Sequence, residues 1–204
     1  DCLLSRGLGD VYKRQGYDML KNYIYLGLQN QRVADGDNYL TKGVDVQVRQ
    51  HGGNVGIFTA QLEQNLQFGI LHWNSRLTYQ KSGDEEVIAL PALNIYTNLF
   101  LRFKIARVLQ CDLGGDLRWF TKYYAPEYIP GLSTFGMQET ADSKTKVGGY
   151  PLANVYANFN LKHTRFFVMM SHINASSGGD YFLTPHYPLN GRIFRFGVSW
   201  NFFN

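Results

Sequence analysis

Cysteine is almost missing from these 204 residues: there are two, Cys2 and Cys111, too few for a disulfide framework. Charge is also sparse, at 18% Asp, Glu, Lys and Arg, against about 25% in ordinary soluble domains. Together with 15% aromatics, that excludes a disordered tail, which is charge-rich and ring-poor. Long hydrophobic runs are missing as well. The longest, Phe166 to Met170, has five residues, whereas a spanning helix needs about 18 to 20. A helical membrane protein is therefore excluded. The net charge is only +4, with no Lys/Arg run, so no nucleic-acid partner is expected.

Catalytic and metal-binding patterns are lacking too. His51, His72, His163, His172 and His186 show no metal-ligand spacing. No nucleophile elbow or Gly-rich phosphate loop surrounds Ser171 and His172 or Asp112 and Asp116. The chain is expected to be no enzyme and to carry no cofactor or metal.

What the sequence has is alternation with period two, the mark of half-buried strands. Val44, Val46 and Val48 alternate with Asp45, Gln47 and Arg49. The same pattern recurs around Phe58–Glu63, Trp73–Gln80, Ile95–Lys104, Leu109–Trp119, Val155–Lys162 and Phe194–Phe202. With 23–31 and 165–175 added, nine strands are expected, the last of these two weakly patterned because Phe166 to Met170 give no clear face. Many run well beyond the usual five or six residues and approach the length a tilted strand needs to cross a bilayer.

Short links near 67–71, 104–108 and 162–165 alternate with long ones at 82–90, 124–150 and 176–191. That alternation is the pattern of outer-membrane barrels, with short periplasmic turns and long outer loops. Carried back to the N-terminal third, parity puts the turn at 51–55 outside and the 32–40 connection on the periplasmic side, where the outer turn is oddly the shorter. The fold expected is all-β, an antiparallel up-and-down transmembrane β-barrel. Nine is an odd number, and single-chain barrels have even ones, so the chain is expected to be the C-terminal part of a longer barrel. Residues 1–15 are set apart from that part, 16–204. Ser5 to Gln15, SRGLGDVYKRQ, reads as a translated sequencing adapter fused in frame and is excluded from the fold.

Two sets of side chains are the candidate functional residues. On the polar faces Arg49, Arg76, Arg102, Arg118, Lys122 and Arg195, with Asp45, Glu63, Asp112 and Asp116, are expected to line a water-filled lumen. That makes a weakly positive wall of the kind that selects ions. On the other face of the last strand, Phe194, Phe196, Val198, Trp200 and Phe202 form an aromatic row facing lipid, doubling as an assembly signal for the barrel-assembly machinery. Gly114-Gly115 is expected to mark a bend in the wall, and Cys111 to act as a small hydrophobe.

The stretch Tyr181-Phe182-Leu183-Thr184-Pro185-His186-Tyr187-Pro188-Leu189-Asn190-Gly191-Arg192, with the final strand from Phe194, resembles the putative porin family of Bacteroidetes-type outer membranes. So do Thr121-Lys122-Tyr123-Tyr124-Ala125-Pro126 with Gly149-Tyr150-Pro151, and Leu161-Lys162-His163-Thr164-Arg165-Phe166-Phe167. The resemblance covers about 89–204 well and implies a barrel in the cell outer membrane, in contact with outer-membrane lipid. A passive channel for small polar solutes is the expected function, and a homo-oligomer is compatible with it. The alternatives left open are the barrel of an energy-coupled (TonB-dependent) receptor and a structural or adhesin barrel.

Overall fold

The computed structural model describes residues 9–35, 38–140, 144–179 and 181–202, with the backbone alone considered at 30–42. Among these, no helix is long and apolar enough to cross a membrane, a statement that bears on helical spans only. The chain is all-β and its long strands pair antiparallel. Eight strands form one sheet: β1 (Asp10–Lys21), β4 (Asn54–Phe68), β5 (Leu71–Ser82), β6 (Leu93–Ile105), β7 (Leu109–Phe120), β10 (Leu152–Leu161), β11 (Thr164–Ser171) and β14 (Ile193–Trp200). They neighbour one another in that order, so β1 and β14 are the two edges. A second sheet has the order β3–β2–β9–β8, built from β2 (Ile24–Asp35), β3 (Asn38–Gln50), β8 (Glu127–Ile129) and β9 (Thr134–Gln138). A small hairpin, β12 (Phe182–Thr184) with β13 (Tyr187–Pro188), completes the set.

Among the described residues fourteen strands stand where nine were expected: β1 precedes the first expected strand, and β8, β9, β12 and β13 lie inside the long connections. The first hairpin is also bent. β1 and β2 form one ascending arm and β3 and β4 the returning one. Lys21 faces Asn54, and after the break Ile24 faces Gln50. Two residues, Asn22 and Tyr23, therefore oppose three, His51, Gly52 and Gly53, which is the arithmetic of a β-bulge. Asn22 (φ 52°) and Gly53 (φ 126°) absorb the turn of the backbone, and Asn22 N–H donates to the Gly53 carbonyl at 2.8 Å. The proximal half, β1 and β4, stays in the large sheet. The distal half, β2 and β3, leaves it, and β2 pairs in parallel with β9 through Gly27 and Leu28.

This corrects the expected parity of the N-terminal third. The 51–55 segment is a bend within a long hairpin, and the tip of that hairpin lies at the same end as the other long connections. The strained short outer turn disappears. The remaining links obey the alternation: 69–70, 106–108 and 162–163 are short and share one end of the sheet, while 83–92, 121–151 and 172–192 are long and share the other. The expected boundary at residue 15 falls inside β1, whose residues Asp10–Gln15 pair with Asn65–Ala60. Residues 1–8 and the terminal Phe203 and Asn204 lie outside the described residues.

Register fixes the two faces. Glu63, Arg76, Tyr96 and Arg118 lie opposite one another on β4, β5, β6 and β7, and with them go Asn98, Asp116, Asn154 and Tyr156. The other face carries Leu62, Leu77, Leu99, Leu113, Val155, Val168 and Val198, all large and exposed. Rings gather toward the strand ends of this apolar face. Tyr17, Phe58, Tyr79 and Phe194 lie toward the long connections, with Phe68, Trp73, Phe166 and Trp200 toward the short turns. The ambiguous β11 resolves here too: Phe166, Val168 and Met170 share the apolar face, while Phe167 and Met169 point to the polar one. Phe167 fits there because Gly197 opposite has no side chain; a Cβ at 197 would come within 2.6 Å of its ring.

The long connections are tied into one cap. Glu139 accepts two hydrogen bonds from Arg49, at 3.1 and 3.0 Å, and a third from Gln29 at 3.1 Å. The Arg49 guanidinium is held above its ordinary value by that hydrogen bonding first and by the Glu139 charge second. Lys144 reaches Glu86 at 3.8 Å, His51 lies 3.6 Å from Asp84, and Thr184 donates to the Pro126 carbonyl at 2.7 Å. Either Arg49→Ala or Glu139→Ala is expected to open the 139–150 return to limited proteolysis of the folded protein. The double variant should cleave no faster than the singles, and additive rates would dissolve the joint.

Candidate functional site

The polar face of the eight-stranded sheet gathers most of the predicted wall residues. Glu63 and Arg76 face one another directly and pair at 2.6 Å. Arg102 donates to both oxygens of Asp112 across β6 and β7, at 2.8 and 2.9 Å, the forked geometry that orients a guanidinium most firmly. Asp116 accepts from the Asn154 amide at 2.9 Å, while Arg118 stands 3.9 Å away. Tyr156 lies opposite Gly114 and its hydroxyl donates to Asn98, one strand further on, at 2.9 Å. A side chain at 114 would run into Phe100, so this glycine keeps the wall thin where Tyr156 crosses it. Among the described residues no buried side-chain polar atom is left without a partner.

The other predicted residues divide. Arg195 is on the polar face of β14 opposite Met169, with no carboxylate partner among the described residues. Lys122 sits just beyond the end of β7, against Gly149. Arg49 and Asp45 are on β3, in the second sheet, and so stand apart from the wall. The aromatic row of β14 lies on the opposite, apolar face, with Phe196 77%, Val198 62% and Trp200 61% exposed. Phe202 follows it, its ring stacked on Trp200 at 5.9 Å.

At the long-connection end the cap folds over the polar wall and leaves a half-open cavity of about 420 Å³. Arg76, Tyr96, Arg118 and Phe120 line its floor; Tyr150, Tyr181, Phe182 and Leu183 line its side and roof. The roof comes this close because Gly148 (φ 104°) lets the backbone pass Phe120, whose ring stands 2.7 Å from where a Cβ would be.

The residue that holds this roof was not among those predicted. His172 is 3% exposed and adopts φ 54° at the end of β11. Its backbone N–H donates to Asn154 Oδ1 at 2.9 Å. Its Nδ1 lies 2.7 Å from the Asn190 carbonyl, an acceptor, so Nδ1 carries a proton. Its Nε2 faces the Tyr150 hydroxyl at 2.8 Å, and that hydroxyl also reaches the Asn174 carbonyl at 2.8 Å. Through its ring His172 joins two long connections, and through its backbone N–H it ties them to the wall. Its sequence neighbours carry no spacing signal, since Tyr150, Asn154 and Asn190, which its ring and amide meet, are each at least 18 residues away. Among the described residues no group of His, Cys, Asp and Glu could hold a metal ion.

A two-faced antiparallel sheet with hydrogen-bonded polar side chains on one side and bare apolar ones on the other defines a wall of barrel type. The chain belongs to the putative porin family, whose model matches residues 10–204. No curated protein and no solved structure shows a significant match. Gly148→Ala is expected to destabilise the cap by about 1–3 kcal/mol, since it forces a side chain into the left-handed region and against Phe120. Gly131→Ala, with open space around it, should be neutral. Heat-modifiable gel mobility of the folded protein reads the difference.

Proposed function

We propose that this chain forms the wall of an outer-membrane channel for passive diffusion of small polar solutes. The observation that carries the reading is the division of the eight-stranded sheet into a cross-linked polar face and an exposed apolar face. Water has to be on the first side, because Arg76, Arg102, Arg118, Arg165 and Arg195 all stand there with Glu63, Asp112 and Asp116, and β1 adds Asp10, Arg14 and Asp18. Hydrocarbon suits the second, because aliphatic side chains occupy the middle of the strands and aromatic rings their ends, as at membrane interfaces. The Trp73 indole N–H, donating to Thr97 at 2.9 Å, needs no water on that face. The short-turn end is then periplasmic and the capped end outward. The β14 row is the segment offered to lipid and to the barrel-assembly machinery. Two or more copies side by side would bring such apolar faces together, and chemical cross-linking in the membrane reads that association.

Single-channel recording of the intact protein in planar bilayers tests the channel. Stepwise conductance with weak anion preference is expected, and it should rise when residues 181–183 are replaced by three glycines. A sealed bilayer at every voltage overturns the channel and leaves a structural or adhesin barrel. A conductance seen only after an N-terminal plug is removed favours the energy-coupled receptor. The faces are tested separately. Val198→Arg should cost about 2–4 kcal/mol in assembled stability, as arginine does near the bilayer midplane. Ser199→Arg, on the polar face, should be nearly silent, and equal effects would invert the assignment.

A further inference from the structure

The roofed cavity has a chemistry that a mere gap between loops does not need. A single row of side chains crosses its floor: Arg76 on β5, Tyr96 on β6 and Arg118 on β7, each opposite the next. Arg76 is engaged by Glu63 through Nε, at 2.6 Å. Arg118 makes no hydrogen bond among the described residues; it stands 3.9 Å from Asp116, its guanidinium 5.4 Å above the Tyr96 ring, and is 67% exposed. A guanidinium has five donors in a planar fork, so this one offers an unfilled, oriented site for a carboxylate. No carboxylate lines the cavity to compete for it. Facing the row from above are the rings of Tyr181 and Phe182 with Leu183, beside Tyr150. The half-open volume of about 420 Å³ falls within the roughly 300–1,000 Å³ typical of small-molecule sites.

We infer that this cavity is a binding subsite for a carboxylated solute with an aromatic or apolar body. The carboxylate sits over Tyr96 between the Arg118 and Arg76 guanidinium groups. The body lies under Tyr181 and Phe182. Each guanidinium has one carboxylate near it, Glu63 at 2.6 Å from Arg76 and Asp116 at 3.9 Å from Arg118, so the site offers a ligand the unfilled donors of Arg118, not a surplus of charge. The roof also explains selectivity for a body as well as a charge, because a bare inorganic anion would leave the aromatic half of the cavity unfilled. The proposal rests on the polar face being the lumen wall, and it adds a resting place on the way through.

Isothermal titration of the intact protein in detergent with 3-phenylpropionate, its amide and propionate tests it. 3-Phenylpropionate is expected to bind more tightly than both others. Arg118→Gln should weaken it about tenfold, the loss expected for a charge-assisted pair, while leaving the amide unchanged. Tyr181→Ala should weaken 3-phenylpropionate and the amide together and leave propionate unchanged. Arg118→Lys, which keeps the charge and loses the fork, should fall between wild type and Arg118→Gln. Unshifted heat-modifiable mobility certifies that each variant is folded. Equal binding of acid and amide, or 3-phenylpropionate binding indifferent to both substitutions, overturns the subsite. The two readings fail separately: conductance without binding removes the subsite alone, and binding without conductance removes the channel alone.

Discussion

Each strand of the large sheet has to satisfy its backbone hydrogen bonds in a neighbouring strand and present every second side chain to each of two unlike surroundings. Everything else follows from that constraint. A one-residue slip would carry Glu63, Arg76 and Arg118 to the apolar side and Leu62, Leu77 and Trp119 to the polar one, so register is fixed along the full length of the wall. The cross-strand pairs Glu63–Arg76 and Arg102–Asp112 lie directly opposite one another and reinforce that register from one side. Small residues appear where a crossing side chain needs room, as Gly114 does beside Phe100 and Gly197 beneath Phe167.

The cap is organised differently. Its elements are short, and they hold together by side chain to backbone bonds between segments distant in sequence: Thr184 to Pro126, Tyr150 to Asn174, His172 to Asn190. Gln138 does the same within its own connection, donating to the Ala125 and Thr145 carbonyls. Burial is strong at the cap and its junction with the wall, at Val55, Ala125, Val147 and Pro185, and within the wall it gathers at Phe100, Cys111 and Asp112. Elsewhere the sheet has little core of its own. It is a wall two side chains thick, polar on one face and apolar on the other.

The wall was legible in the sequence because its information is local. Alternation around Trp73–Gln80 or Phe194–Phe202 names both faces without any knowledge of neighbours, and it assigns Arg76, Arg102, Asp112, Asp116, Arg118 and Arg195 to the polar face on which the register places them. Arg49 misled for the same reason: Val44 to Arg49 alternates like a wall strand, and nothing in those residues reports the bulge at Asn22 and Gly53 that carries them into another sheet. β11 was obscure because Phe167 and Met169 are apolar residues on a polar face, allowed by a glycine 30 positions away. The cavity and His172 were out of reach altogether. Their partners come from separate connections, and no periodicity links 150, 172 and 190.

The bulge at Asn22–Tyr23 against His51–Gly53 has a consequence for how such a chain can vary. Above it the hairpin leaves the wall, and the register of β1 with β4 is fixed below it by Lys21 facing Asn54. Residues added or lost symmetrically between 24 and 50 change the reach of the second sheet and leave every inward and outward position from Asn54 onward where it was. An insertion of one residue inside β4 or β5, by contrast, turns the rest of that strand inside out. The hairpin is therefore a segment in which length itself can drift, so the capped end can be remodelled at a rate independent of the wall that carries it.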